Sequence, residues 1–383
     1  MKDIRRYGMW LLPAIFAASF WSTALVELFS ILAVVAGLFE LTVRRRLTVR
    51  PTRSVSIILS VVAIYVLGVL LSLSTPQSSA SPLVVIGKLW HVLLVPAAYV
   101  LCSHRQQTHR CAWAFILSAA VAAIFTIVLS SVGTLQFLEH SFLGNTTTAD
   151  LLALAGIVSV AAFLSSHGKT KTITMIVAML IFTSLSVRTL RTPFAVLSMG
   201  GVLLLASFNM RYALSWAFAS MFLIFFGPEI LRLKFLWIIN GNPTDRFVIW
   251  DLAFNLLPSV PLFGYGPGSF PSIIQPKALS FINASPASWH NEFLQTIIES
   301  GWIAGIALAG LTVYILVTMF RSGLHPIDHE MKILTRTVTV VFVSCVMFSC
   351  VGLVASTAVL GTVWWTTVGI SLSIIQKGYD GKS

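Results

Sequence analysis

The sequence predicts an all-α, polytopic membrane protein, and three observations carry that prediction. The chain of 383 residues is 57% hydrophobic and only 10% charged, more apolar material than the core of one soluble domain could bury. Runs of about 20 apolar residues, the helix length that crosses a ~30 Å hydrocarbon layer, recur from end to end. The basic residues fall mostly in the short segments between those runs, where helix ends meet water.

Twelve spans follow in order, over residues 9–23, 25–43, 54–73, 84–102, 111–132, 150–165, 172–186, 193–208, 212–230, 302–320, 333–354 and 357–375. Lys2, Arg5 and Arg6 ahead of the first run resemble a secretion signal. The rest of the chain also spans, so that run reads as a retained helix, paired with the second in a tight hairpin. Three regions result: helices one to nine over 1–230, a long loop with the start of the next helix over 231–301, and three last helices with a short tail over 302–383. No internal repeat is visible.

The formal net charge is +12, but the basic residues form no single patch interleaved with exposed aromatics, which argues against nucleic acid as a partner. They read instead as cytoplasmic anchors. Lys2, Arg5, Arg6, Arg44, Arg45, Arg46, Arg50, Arg53, Arg105, Arg110, Lys169, Lys171, Arg211, Arg321, Lys332, Lys377 and Lys382 all fall on one side when both termini are inside. Arg336 sits at the inner mouth of a span and Lys88 within one. Six basic residues remain outside: Arg188, Arg191, Arg232, Lys234, Arg246 and Lys277. They occupy only the turn "VRTLRT" and the loop 231–289, so an anionic ligand is expected there. Cys102, Cys111, Cys345 and Cys350 lie in or beside spans at a spacing that fits neither a disulfide framework nor zinc. They read as ordinary membrane cysteines.

The long loop contains "GNPTDRFVIWDLAFNLLPSVPLFGYGPGSF". Phe247, Trp250, Leu252, Ala253, Leu256 and Leu257 recur at roughly helical spacing, as in an amphipathic helix lying on the outer leaflet. Pro258 and Pro261 end it, and "GYGPGSF" forms a tight turn. Gly264, Gly266 and Gly268 lack the preceding strand, following helix and partner lysine of a nucleotide loop. They shape the turn and leave backbone open to a sugar or phosphate.

Within "SWHNEFLQTIIESGWIAG", Ser285 as cap and Pro286 at the first helical position would start a helix whose positive end lies near His290. There the neutral, proton-accepting imidazole is favoured. Arg191 precedes Pro193 at the start of a span, which places it at the outer mouth of the bundle. A guanidinium there matches two oxygens of a phosphate at once.

The segments "LRTPFAVL", "DRFVIWDLAFNLLPSVPLFGYGPGSF" and "WHNEFLQTIIESGWIAGI" together resemble the three signature segments of the bacterial O-antigen ligase and polysaccharide polymerase superfamily. The resemblance runs from about residue 183 to residue 320; the first six spans resemble it only in being hydrophobic. It implies a C-type glycosyltransferase fold of about twelve transmembrane helices with one long periplasmic loop, in the bacterial inner membrane, with its active site facing the periplasm. It implies an undecaprenyl-diphosphate-linked glycan as donor, and lipid A-core (ligase) or a growing polysaccharide (polymerase) as acceptor. Carried over by motif, Arg191, Arg246 and His290 are the catalytic residues. Arg188, Lys88, Trp289, Asn291, Glu292 and Tyr265 stand beside them as expected substrate contacts.

Elementary chemistry points the same way. A departing diphosphate needs positive charge at the membrane surface, which Arg191 with Arg246 supplies. No Asp-x-Asp pair or His/Asp cluster in the loops marks a metal site, so neither metal nor other cofactor is expected. The acceptor hydroxyl needs a base, for which neutral His290 is suited. Attack from the face opposite the diphosphate inverts the anomeric centre. An orienting or phosphate-contacting His290 is the rival role. Ligase is preferred to repeat-unit polymerase on the His-Asn-Glu segment. A transporter or flippase would show inverted repeats and midplane charges, whereas Glu27, Lys88 and Glu229 are scattered.

Overall fold

The computed structural model describes residues 2–42, 52–76, 78–102, 105–132, 145–188, 190–227, 245–274, 288–323 and 329–380, with a few residues between 229 and 236. Every regular element among them is a helix. In chain order they are α1 (Lys2–Ala18), α2 (Thr23–Thr42), α3 (Arg53–Ser72), α4 (Pro82–Leu89), α5 (Leu94–Leu101), α6 (Arg105–Ser131), α7 (Asn145–Ser165) and α8 (Gly168–Arg188). There follow α9 (Arg191–Ala206), α10 (Met210–Phe226), α11 (Asp245–Leu256), α12 (Phe270–Ile273), α13 (Glu292–Gly323), α14 (His329–Val351) and α15 (Ala358–Asp380). Among the described residues, 9 helical segments are long and apolar enough to cross a membrane, one of them, Pro82–Leu101, made of α4, a 3₁₀ turn and α5. The shorter apolar α9 and α10, with α1, leave a helix over every expected span.

The helix starts follow capping chemistry. Ser81 Oγ accepts from Val84 N at 3.3 Å with Pro82 next to it, and Asn209 Oδ1 accepts from Arg211 N at 2.9 Å ahead of α10. Each satisfies an orphan amide of the first turn. The centre of the bundle is α15, packed on α5, α2, α3, α13 and α14. Trp364 and Trp365 are buried there. At Gly369 an added Cβ would come within 2.5 Å of Val95 O and 2.6 Å of Ala98 Cβ. Only a residue without a side chain lets α15 and α5 approach so closely.

The segments expected on one side of the membrane meet at one end of the bundle. Arg188 reaches Thr126 of α6, and Ser79 N and Ala80 N donate to Pro267 O at 3.2 and 3.1 Å. Asn291 reaches Cys350 O. At the opposite end Arg105 pairs with Glu330, Arg336 donates to Ser207 O and lies over Phe208, and Thr52 N donates to Gln376 Oε1 at 3.0 Å. Of the basic residues assigned to the two sides, Arg44, Arg45, Arg46, Arg50, Lys234, Lys277 and Lys382 lie outside the described residues. Arg232 pairs with Glu229 at 3.8 Å, one turn away.

The loop region has a small core of its own, separate from the main one among the spans. Ile249, Ala253, Val260, Phe270, Ile274, Trp289, Leu294 and Ile298 form it, joining α11, the glycine turn and the first turns of α13. A helix is present over the expected segment as α11, and Leu257–Ser259 ends it in a 3₁₀ turn at Pro258. Its buried face is set by Ile249 and Ala253, while Phe247 of the expected apolar set is 53% exposed. The helix uses its inner stripe to pack on protein, and Phe247, Val248 and Phe254 face outward.

One expected helix start differs. Ser285 and Pro286 lie outside the described residues, and the helix begins at Glu292 with Asn291 ahead of it. Asn291 Oδ1 accepts from Phe293 N and Leu294 N, both at 3.0 Å. Asparagine immediately before the apolar run is itself a strong cap. His290 therefore precedes the helix instead of sitting inside its first turns.

Candidate active site

The histidine is presented by residues that are themselves fastened. Trp289 on one side is fully buried, its ring edge-on to Phe270 at 4.8 Å. Its carbonyl accepts from Trp250 Nε1 at 3.2 Å and its amide donates to Gln295 Oε1 at 3.4 Å. On the other side Asn291 caps α13 and donates through Nδ2 to Cys350 O at 2.9 Å. Glu292, 2% exposed, accepts through Oε2 from Val354 N at 2.8 Å, Ser356 Oγ at 3.3 Å and Ser356 N at 3.5 Å. This carboxylate ties the turn between α14 and α15 to the start of α13. Among the described residues only His290 combines a side chain with a positive φ, 49°. That left-handed geometry is uncommon for a residue with a Cβ and clusters at functional sites.

The residues expected to contact substrate also have partners within the protein. Trp289 and Glu292 are buried against protein groups, and the half-buried Asn291 spends its side chain on the cap of α13 and on Cys350 O. They support His290. Tyr265 is likewise engaged: its hydroxyl donates to Ser259 O at 2.9 Å. Arg188 is 5% exposed and donates through Nε and Nη2 to Thr126 Oγ1 at 3.2 and 2.7 Å, in the bundle wall. Lys88, exposed on α4, stands in the field of the Glu292 and Glu299 carboxylates.

Arg246 lies within electrostatic reach of both Arg191 and His290. Arg191 is the first residue of α9, whose preceding Leu190 makes no side-chain cap. An N-terminus without a capping side chain adds amide dipoles to the guanidinium, both favouring an anion. Arg246 opens α11 and interacts electrostatically with Arg191; His290 in turn feels Arg246. Burial lowers the pKa of the Arg246 guanidinium, the Asp150 carboxylate opposes that shift, and the Arg191 charge adds to it. The group still carries its proton at any physiological pH. Burial, then the Arg246 charge, lowers the His290 pKa from its ordinary value. The imidazole is thus neutral near pH 7, for a reason other than the helix end expected from sequence.

Two acids escaped the sequence reading. Asp150, first residue of an expected span, is 8% exposed and lies within the electrostatic reach of Arg246. Glu299 is buried beneath the glycine turn, takes the Gly268 N–H and accepts from Gln295 Nε2 at 3.4 Å. Both are acids at the edge of apolar runs, which is a signal in itself.

The glycine turn is built against a break in α13. Gly301 has φ 84° and ψ 174° inside that helix, which releases carbonyls from the helical ladder. Tyr265 N and Gly266 N donate to Ile298 O and Glu299 O, both at 2.9 Å. Gly264, Gly266 and Gly268 all have positive φ. The turn is thus a structural strut between α13 and the Ser78–Ala80 segment.

Residues 154–309 match a family model described as O-antigen ligase. Arg191, Arg246, His290 and the Gly301 break all fall within the match. No curated protein matches the chain.

Proposed function

We propose that this multi-pass membrane protein is an O-antigen ligase, a glycosyltransferase moving an undecaprenyl-diphosphate-linked glycan onto lipid A-core at the periplasmic face of the inner membrane. The observation that carries the reading is that Arg246 lies within electrostatic reach of both Arg191 and His290, three residues drawn from separate segments. The family match over residues 154–309 supports it. In this reading the fold is of the C type with twelve spans, both termini cytoplasmic and the loop 231–289 periplasmic.

Chemistry follows from the charges. The two guanidiniums and the amides at the start of α9 bind the diphosphate and stabilise the negative charge that grows on it as the sugar leaves. His290, neutral and rigidly held, takes the proton of the acceptor hydroxyl as that oxygen attacks the anomeric carbon. Attack opposite the leaving diphosphate inverts the centre, and the residues supply the charge without a metal. Polymerisation of repeat units is the alternative, since the same groups would serve an acceptor that is itself a glycan.

Transfer measured with purified protein, lipid-linked donor and lipid A-core tests the reading. Arg191→Ala and Arg246→Ala should each lose most activity at normal membrane abundance, and the Lys variants should recover little, because an ammonium cannot grip two oxygens in a fixed fork. Wild-type turnover by both Ala variants sinks the role. Transfer onto repeat-unit glycan but not lipid A-core selects the polymerase.

A further inference from the structure

The residues flanking His290 are fastened to two different elements. Trp289 O accepts from Trp250 Nε1 of α11 at 3.2 Å, and Trp250 stands one turn beyond Arg246 on the same face of that helix. Asn291 Nδ2 instead donates to Cys350 O at 2.9 Å, while the buried Glu292 accepts through Oε2 from Val354 N at 2.8 Å and Ser356 Oγ at 3.3 Å. The histidine is therefore held between the arginine-bearing α11 and residues 350–357, the turn that joins α14 to α15. In a direct displacement the attacking oxygen and the leaving group stand on opposite sides of the carbon they share. With the diphosphate on the α11 side, the acceptor hydroxyl that His290 deprotonates comes from the side of the turn.

The turn has the chemistry for a sugar. Its inner residues are fixed: Val354 and Ala355 are each 2% exposed, and Trp365 Nε1 donates to Ala355 O at 3.1 Å. Gly352, Leu353, Ser356 and Thr357 stay partly open. Both hydroxyls spend their hydrogen within the protein, Ser356 Oγ on Glu292 and Thr357 Oγ1 on Val354 O at 3.0 Å. Their remaining lone pairs accept, which suits the O–H donors of a sugar. No residue from Cys350 to Ala358 is charged, so the turn offers no cation to a phosphate.

We propose that residues 350–357 form the acceptor-side wall of the site, where Ser356 and Thr357 recognise an uncharged sugar of the acceptor and Glu292 is the residue that positions the turn against His290. This rests on the diphosphate reading above, and it concerns a segment outside residues 154–309 of the family match. The recognised chemistry, a neutral polyhydroxylated ring, is the same whether the sugar belongs to lipid A-core or to a growing polysaccharide.

The experiment uses purified full-length protein in nanodiscs. Initial rates are measured as lipid A-core and repeat-unit glycan are varied separately at fixed lipid-linked donor, and then as the donor is varied. Ser356→Ala and Thr357→Val each remove one hydroxyl. Each should raise the acceptor KM about three- to tenfold, the scale of one lost hydrogen bond, and leave the donor KM and undecaprenyl diphosphate binding within about twofold of wild type. Glu292→Ala, which frees the turn, should raise the acceptor KM further, and Glu292→Gln, which keeps a carbonyl oxygen for the Val354 amide, should recover most of that loss. The acceptor whose KM moves identifies the source of the sugar. A second readout needs no substitution: Cys350 is an exposed thiol and the other three cysteines are buried, so saturating acceptor should slow its alkylation by a maleimide and undecaprenyl diphosphate should not. An unchanged acceptor KM in both hydroxyl variants, or a rise in donor KM alone, would overturn the proposal. So would Cys350 alkylation that the acceptor does not slow. Absence of transfer to either acceptor by the wild-type protein would instead overturn the glycosyltransferase reading, a separate result.

Discussion

Replacing Gly301 by alanine should separate the His290 support from the membrane span that follows it. Gly301 holds φ 84° and ψ 174°, a region that only glycine occupies without strain, so the backbone alone costs an alanine roughly 1 to 3 kcal/mol. The new methyl would also collide with Leu262 O and lie 2.6 Å from Gly264 N. Relieving that collision moves the glycine turn away and breaks Tyr265 N to Ile298 O and Gly266 N to Glu299 O, each worth about 0.5 to 1.5 kcal/mol net. The total is roughly 2 to 6 kcal/mol, concentrated beside the strut that holds His290. Gly310, in the same helix, has nothing within 4 Å of an added Cβ, so its alanine should be neutral or gain up to about 1 kcal/mol of helix propensity. Thermal unfolding in detergent, followed by intrinsic tryptophan fluorescence, and glycan transfer should both drop for Gly301→Ala and hold for Gly310→Ala. If the two variants melt and turn over alike, the reasoning about the break is refuted.

Two further outcomes follow from the site. Because burial and Arg246 place the His290 pKa below its ordinary value of 6.5, the base is neutral above that pKa and protonated below it. Single-turnover transfer should therefore rise with pH along a limb below 6.5, and His290→Gln should be ~10² to 10⁴ slower with the limb gone; a limb that persists in the Gln enzyme excludes His290 as the base. For topology, Ser272→Cys, exposed in the loop, should react with a membrane-impermeant thiol reagent in intact spheroplasts. The background should be Cys350→Ser, because Cys350 is itself an exposed free thiol. Labelling only after the membrane is broken would reverse the orientation.

Sequence alone settled the features that depend on composition along the chain. Apolar run length determined the membrane class and where helices lie, since a backbone in lipid must close its own hydrogen bonds. Arginines misplaced against the basic-residue bias pointed to Arg191 and Arg246, and a family pattern pointed to His290. The tertiary structure decided what depends on neighbours distant in sequence. It showed Trp289 and Glu292 buried beside His290, since burial of a side chain is a property of what packs over it. It moved the cause of a neutral His290 from a helix end to burial beside Arg246. And it showed Glu299 buried beneath the glycine turn and Glu292 tied to the turn between α14 and α15, because a one-dimensional chain records the presence of an acid but not the groups that make burying it tolerable.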